Sequence, residues 1–178
     1  MLVKILIGVA VVAVALVAYV ATRPDEFSVS RSATFAAPAS AAFAQVNELR
    51  KWQAWSPWAK KDPNAKESYD GPAAGTGASM SWAGNKEVGE GRMTIVESRP
   101  SQLVRFKLEF FKPFAATNSA EFAFKEEGGR TAVTWTMRGQ NNFIGKAMCL
   151  VFDMDKMVGG DFEKGLAGIR QIVEAKAG

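Results

Sequence analysis

Val104-Arg105-Phe106-Lys107-Leu108-Glu109-Phe110 alternates between apolar and charged side chains at every step. Successive residues of a strand point to opposite faces, so this stretch reads as a strand with one face buried and one in water. Such patterning belongs to antiparallel sheets, whose outer face can be solvated. The same pattern recurs to either side. Upstream, Phe27, Val29, Ala33 and Phe35 share a strand face; so do Ala78, Met80 and Trp82, and then Gly91, Met93 and Ile95. Downstream, Asn118, Ala120, Phe122 and Phe124 form one face, and Thr131, Val133, Trp135 and Met137 another. Gly84-Asn85-Lys86, Pro100-Ser101 and Glu127-Gly128-Gly129 supply turn signals between them. A short strand over Lys66 to Tyr69 completes a sheet of about seven strands.

A sheet with one apolar face needs a cover. Ile144, Met148, Val151, Val158, Phe162, Leu166, Ile169 and Val173 recur at three- and four-residue steps, the spacing of a helix of roughly 30 residues. Gly159-Gly160 interrupts it, which predicts either a kink or a close approach to the sheet. Pro38 opens a short helix with Phe43, Val46 and Leu49 as its apolar stripe. Trp52-Gln-Ala-Trp55-Ser-Pro-Trp58 follows, with three of the chain's five tryptophans. The fold class is therefore α+β: a curved antiparallel sheet gripping a long C-terminal helix. Such a sheet does not close completely at its open end, so an apolar cavity is expected. The tryptophan segment is placed at that end, as rim or plug.

Residues 1–23 stand apart. Ile5 to Ala21 is unbroken in apolar residues and Gly. Taken over residues 2–22, the segment is roughly 30 Å long as a helix, which matches the hydrocarbon core of a bilayer. A cleaved signal peptide would have a shorter apolar stretch and a small residue at the third position from the cut. Here Leu16 and Tyr19 occupy those positions. One uncleaved transmembrane helix is expected, with residues 24–178 as a single domain. Lys4 on one side and Arg23 and Arg31 on the other give little orientation bias. A short basic tail favours a non-cytoplasmic (periplasmic) domain.

The order of elements, with Phe35-Ala-Ala-Pro38, Trp52-x-x-Trp55-Ser-Pro-Trp58, Gly84-Asn85-x-x-Val88-Gly89-x-Gly91 and Gly160-x-Phe162-x-x-Gly165-Leu166, resembles the helix-grip (SRPBCC) superfamily. That group contains START lipid-transfer domains and the polyketide cyclase/dehydrase and lipid-transport family. The likeness is strongest to small bacterial members with one N-terminal membrane segment, and it covers about residues 26 to 176. It implies a seven-stranded sheet around a C-terminal helix, with an apolar cavity for lipids, sterols or polyketides. It does not imply one shared activity.

Composition excludes much chemistry. The chain has no histidine and one cysteine, Cys149. That removes His-dependent triads, the usual zinc sites and an internal disulfide, so no metal or other cofactor is expected. Cys149 reads as a small buried hydrophobe. The net charge is +4; Lys4 and Arg23 supply two of these charges, and the rest are interspersed with acids. No basic face suits nucleic acid. Polar candidates for the cavity are Arg31, Tyr69, Asn118 and Glu97, the last in register with Met93 and Ile95, while Glu109 and Glu121 face outward. None has a visible catalytic partner, so no catalytic residue is assigned. The expected cavity wall is Trp52, Trp55, Trp58, Met80, Trp82, Met93, Phe106, Phe110, Asn118, Phe122, Trp135, Met137, Met148 and Phe152. Three functions compete: membrane-anchored binding or transport of a hydrophobic, lipid-like molecule; a cyclase or dehydratase in the same cavity; and a ligand-free protein-interaction module. The residues favour the first, with the ligand and the membrane as partners.

Overall fold

The computed structural model describes residues 1–151 and 153–175. Phe152 and the side chains of Met148 and Cys149, all three placed by sequence, lie outside the described residues. Helix α1 (Leu2–Ala21) leads to strand β1 (Glu26–Phe35). Helix α2 (Ala39–Asn47), a 3-10 turn (Leu49–Lys51), and short helices α3 (Trp52–Trp55) and α4 (Pro57–Lys61) follow. Six strands come next: β2 (Lys66–Asp70), β3 (Ser79–Ala83), β4 (Glu90–Arg99), β5 (Leu103–Lys112), β6 (Ala116–Glu127) and β7 (Arg130–Gln140). The chain ends in α5 (Phe143–Val151) and α6 (Met154–Glu174).

All seven strands form one antiparallel sheet in the order β1-β7-β6-β5-β4-β3-β2. The hairpins make neighbours of consecutive strands, and β1 closes on the last strand across the helical segment. Val104, Phe106, Phe122, Val133 and Trp135 are buried on the inner face. Phe162, Leu166, Ile169 and Val173 of α6, at helical spacing, complete that core. The fold is the helix-grip arrangement expected.

Three local departures have physical causes. The C-terminal helical pattern is two helices, α5 ending at Val151 and α6 opening with Asp153 as its cap. Its backbone is extended, and its carboxylate accepts from the Lys156 N–H at 3.0 Å. Gly159-Gly160 lies within α6 and does not break it. A Cβ on Gly159 would collide with the Arg31 guanidinium, so the glycine makes room for an ion pair rather than a kink. Glu97 is turned out of register by a β-bulge between Ile95 and Glu97. It pairs with Arg105 and Arg99 on the outer face, where Arg105 also binds Glu121.

Arg31 sits on edge strand β1 and reaches α6. Its Nη2 is 2.8 Å from Asp155 and its Nε 2.8 Å from Glu163. The hydrogen bond from Arg31 holds the Asp155 carboxyl below its usual 3.8. Both carboxylates are exposed, so the pair orients α6 on the strand more than it stabilises the fold.

Candidate functional site

A partly open cavity of about 370 Å³ lies between the inner sheet face, α3, α4 and the first half of α6. Its depth is graded. Trp52, Met93, Phe106, Ala120, Trp135 and Phe162 are buried. Phe27, Trp82, Val88, Phe110, Asn118 and Val158 are half-buried. Apart from Val158 of α6, the second set occupies the start of β1 and β6, the ends of β3 and β5, and the β3–β4 turn. These meet at one end of the sheet, because Glu26 pairs Gln140, Asn118 pairs Gly139, and Ala116 pairs Phe110. The mouth is therefore at the end where α1 joins the domain.

The tryptophan segment runs along the wall. Trp52 is 7% exposed and closes the floor, its indole N–H donating to the Val46 carbonyl at 2.9 Å. Trp58 is half-buried, and Asp62 beyond it reaches the rim. There its carboxylate accepts from the Asn85 N–H at 2.6 Å. The segment is thus a floor and one side, not a ring around the entrance.

Trp52, Trp58, Met80, Trp82, Met93, Phe106, Phe110, Asn118, Trp135 and Met137 line this space. Two expected wall residues do not. Trp55 is 2% exposed, its indole bound to the Gln45 carbonyl at 3.1 Å and its ring set behind Trp52. Phe122 is fully buried, enclosed by Trp52, Trp55, Phe106 and Trp135. Alternation placed Phe122 on the inner face, and other rings cover it there. Arg31 faces α6, and Tyr69 stands beside the cavity without lining it.

Glu67 and Gln53 also line the wall and were not among the residues expected there. Gln53 donates to one Glu67 oxygen and the Tyr69 hydroxyl to the other, the latter at 2.5 Å. Burial, reinforced by that bond, pushes the Tyr69 phenol up to about 12. Arg50 lies over the Tyr69 ring at 4.3 Å. The available signal was the alternation Glu67-Ser68-Tyr69, which puts Glu67 and Tyr69 on one face of β2.

Trp135 is the central wall. Its ring stacks on Phe162 at 4.0 Å and on Phe122 at 4.5 Å. The Cζ3 edge of its indole faces Gly165 of α6, where a Cβ would come within 2.7 Å. Its buried N–H has no acceptor among the described residues. An unsatisfied buried donor costs about 1–3 kcal/mol, so this one calls for an explanation. A second depression of about 710 Å³, lined by Arg105, Lys107, Ser119 and Arg138 together with Phe27, Val96 and Phe106, is wider and open to solvent rather than enclosed. Among the described residues no His/Cys/Asp/Glu cluster could hold a metal.

The sequence model of the family described as polyketide cyclase / dehydrase and lipid transport matches residues 26–174. A comparison with curated protein sequences finds no match. Among solved structures, protein Ms6760 from Mycobacterium smegmatis is similar, at 17% identity and TM-score 0.58 over 84% of this chain and 92% of that one. So is the Aha1 dimer from Colwellia psychrerythraea, at 12% identity and TM-score 0.60 over 85% and 99%. Protein CV1439 from Chromobacterium violaceum matches at 12% identity and TM-score 0.56 over 85% and 99%. At these identities the likeness shows the fold alone.

Proposed function

Because the chain belongs to the polyketide cyclase / dehydrase and lipid-transport family, we propose that it binds or carries a hydrophobic, lipid-like molecule in the cavity beneath Trp135, while α1 anchors it in a membrane. The carrying observation is the apolar cavity itself. Its size falls within the ~300–1000 Å³ of small-molecule sites, with few polar groups on an aromatic and methionine wall. Helix α1 is long and apolar enough to cross a bilayer. An apolar ligand partitions into that bilayer, and a tethered cavity meets it at a raised effective concentration.

The polar groups favour binding over catalysis. Asp62 and Glu67 are the carboxylates on the wall, and each already accepts hydrogen bonds from protein donors. On the same wall the Asn118 amide and the Trp58 indole N–H, both half-buried, have no side-chain hydrogen bond among the described residues, whereas the Trp135 N–H is fully buried between rings. We therefore read the ligand as an apolar body with one oxygen acceptor, a carbonyl, hydroxyl or carboxyl group, set against the Asn118 amide near the mouth.

Lipid recovered with the purified full chain tests this reading. Ala120 is small, buried and on the wall, so Ala120→Trp fills the cavity. The expected outcome is saturable uptake of a fluorescent fatty acid by the native chain and its loss in the variant, with the circular dichroism unchanged. Equal uptake by both chains would place the lipid elsewhere.

A further inference from the structure

We propose that the mouth of the cavity is pressed onto the bilayer surface by an apolar face made of α5 and the β5–β6 hairpin, so that ligand passes directly between membrane and cavity. This rests on the anchored, ligand-binding reading above and adds the geometry of exchange. Phe143, Ile144 and Leu150 of α5, and Phe111 and Phe114 of the hairpin, are exposed. The two phenylalanines of the hairpin and Ile144 have 55–57% of their surface in solvent. Exposed aromatic and aliphatic side chains gathered in one region mark an interaction site.

The structure indicates what covers them. Only residues 22–25 separate α1 from β1. Four residues span at most about 14 Å, so this end of the sheet cannot leave the surface that α1 enters. Helix α5 is held closer still. The buried Lys146 places its ammonium 2.5 Å from the Asp25 carboxylate and 3.4 Å from the carbonyl of Ala21, the last residue of α1. That cation sits at the negative end of the α1 dipole. The end of the anchor therefore packs on α5. At 100° per residue, Phe143, Ile144 and Leu150 fall within an arc of about 120°, the form of a helix lying in the interface with its apolar side down. The hairpin is at the same end, since Phe110 pairs Ala116 beside the mouth. Phe110 on the cavity wall and Phe111 on the opposite face of β5 are consecutive, so the strand end carries an aromatic ring toward the cavity and another toward the exposed apolar face.

The test uses the full chain reconstituted into phosphatidylcholine vesicles. In a Cys149→Ser background, an environment-sensitive fluorophore is attached at Phe114→Cys, Ile144→Cys or Glu127→Cys. Glu127 lies at the far hairpin. Lipids carrying a shallow nitroxide should quench positions 114 and 144 strongly and leave 127 unaffected. A chain that floats with the vesicles but shows equal, weak quenching at all three positions overturns the proposal. Probes shielded at 114 and 144 without lipid quenching, in step with protein concentration, put a second copy on this face and overturn it too. Failure to float overturns the anchor and the docking together. Fatty-acid uptake is read in the same samples. Its absence counts against the ligand reading alone, because quenching in the Ala120→Trp chain should be unchanged.

Discussion

Trp135 concentrates the functional argument at the scale of one residue. It is packed by rings on two sides, yet its N–H is left without an acceptor. Replacing it by Phe deletes the orphaned donor but also empties ring volume between Phe122 and Phe162, so the Trp135→Phe chain should lose about 1–2 kcal/mol of stability in urea unfolding; an unchanged midpoint would mean that relief of the orphaned donor offsets the lost packing. Asn118→Leu removes a polar group of the wall without shrinking the side chain. Affinity for a fatty acid or alcohol should then fall roughly two- to tenfold, the worth of one neutral hydrogen bond. Affinity for an alkane probe should hold, and a parallel loss for both ligands would assign Asn118 a packing role only. Inward residues were legible here from alternation: Asn118 and Trp135 share faces with known core positions. That Phe122 and Trp55 are sealed behind other rings was not legible, because periodicity gives a face and not a depth. Glu97 failed for a different reason, since a single inserted residue, invisible in the pattern, reversed its face.

At the scale of elements, α6 is oriented by Arg31 of β1 through Asp155 and Glu163. Asp155 has its folded pKa depressed, so its contribution is complete above its unfolded pKa and is lost as pH falls through the lower folded value. Asp155→Asn should therefore lower the urea midpoint of the detergent-solubilised chain at neutral pH. The two curves should converge below pH 3.8, the ordinary value for the group. A gap that persists into strong acid would mean that Asn disturbs the α6 N-terminus sterically. The strands and α6 were readable from periods of two and 3.6 residues. The α5–α6 break was obscured because apolar spacing continues across Asp153, and the cap is an Asp that reads equally well as a helix-surface residue. Arg31 lies in register with the apolar residues of β1 and was a candidate for the cavity. It has its explanation only in Gly159, 128 positions away, where the absent Cβ leaves space for the guanidinium.

At the scale of the molecule, the apolar N-terminal helix and the cavity mouth lie at the same end of the sheet. Helix α1 ends beside α5, the half-buried wall residues open at that end, and Trp52 closes the other. A protein that exchanges apolar molecules with a bilayer gains from this order, because the ligand need not cross water. The long apolar N-terminal helix, the sheet and the covering helix could be read from sequence, and so could the existence of a cavity. Its direction could not, since it depends on strand ends meeting in three dimensions. The most direct measurement is photolabelling of the full chain in vesicles with a fatty acid carrying a diazirine at its chain terminus, followed by peptide mapping. Adducts on Met80, Met93 and Leu108, suppressed by Ala120→Trp, are the result expected of an occupied cavity. Adducts confined to α1, or unchanged by that substitution, would contradict it.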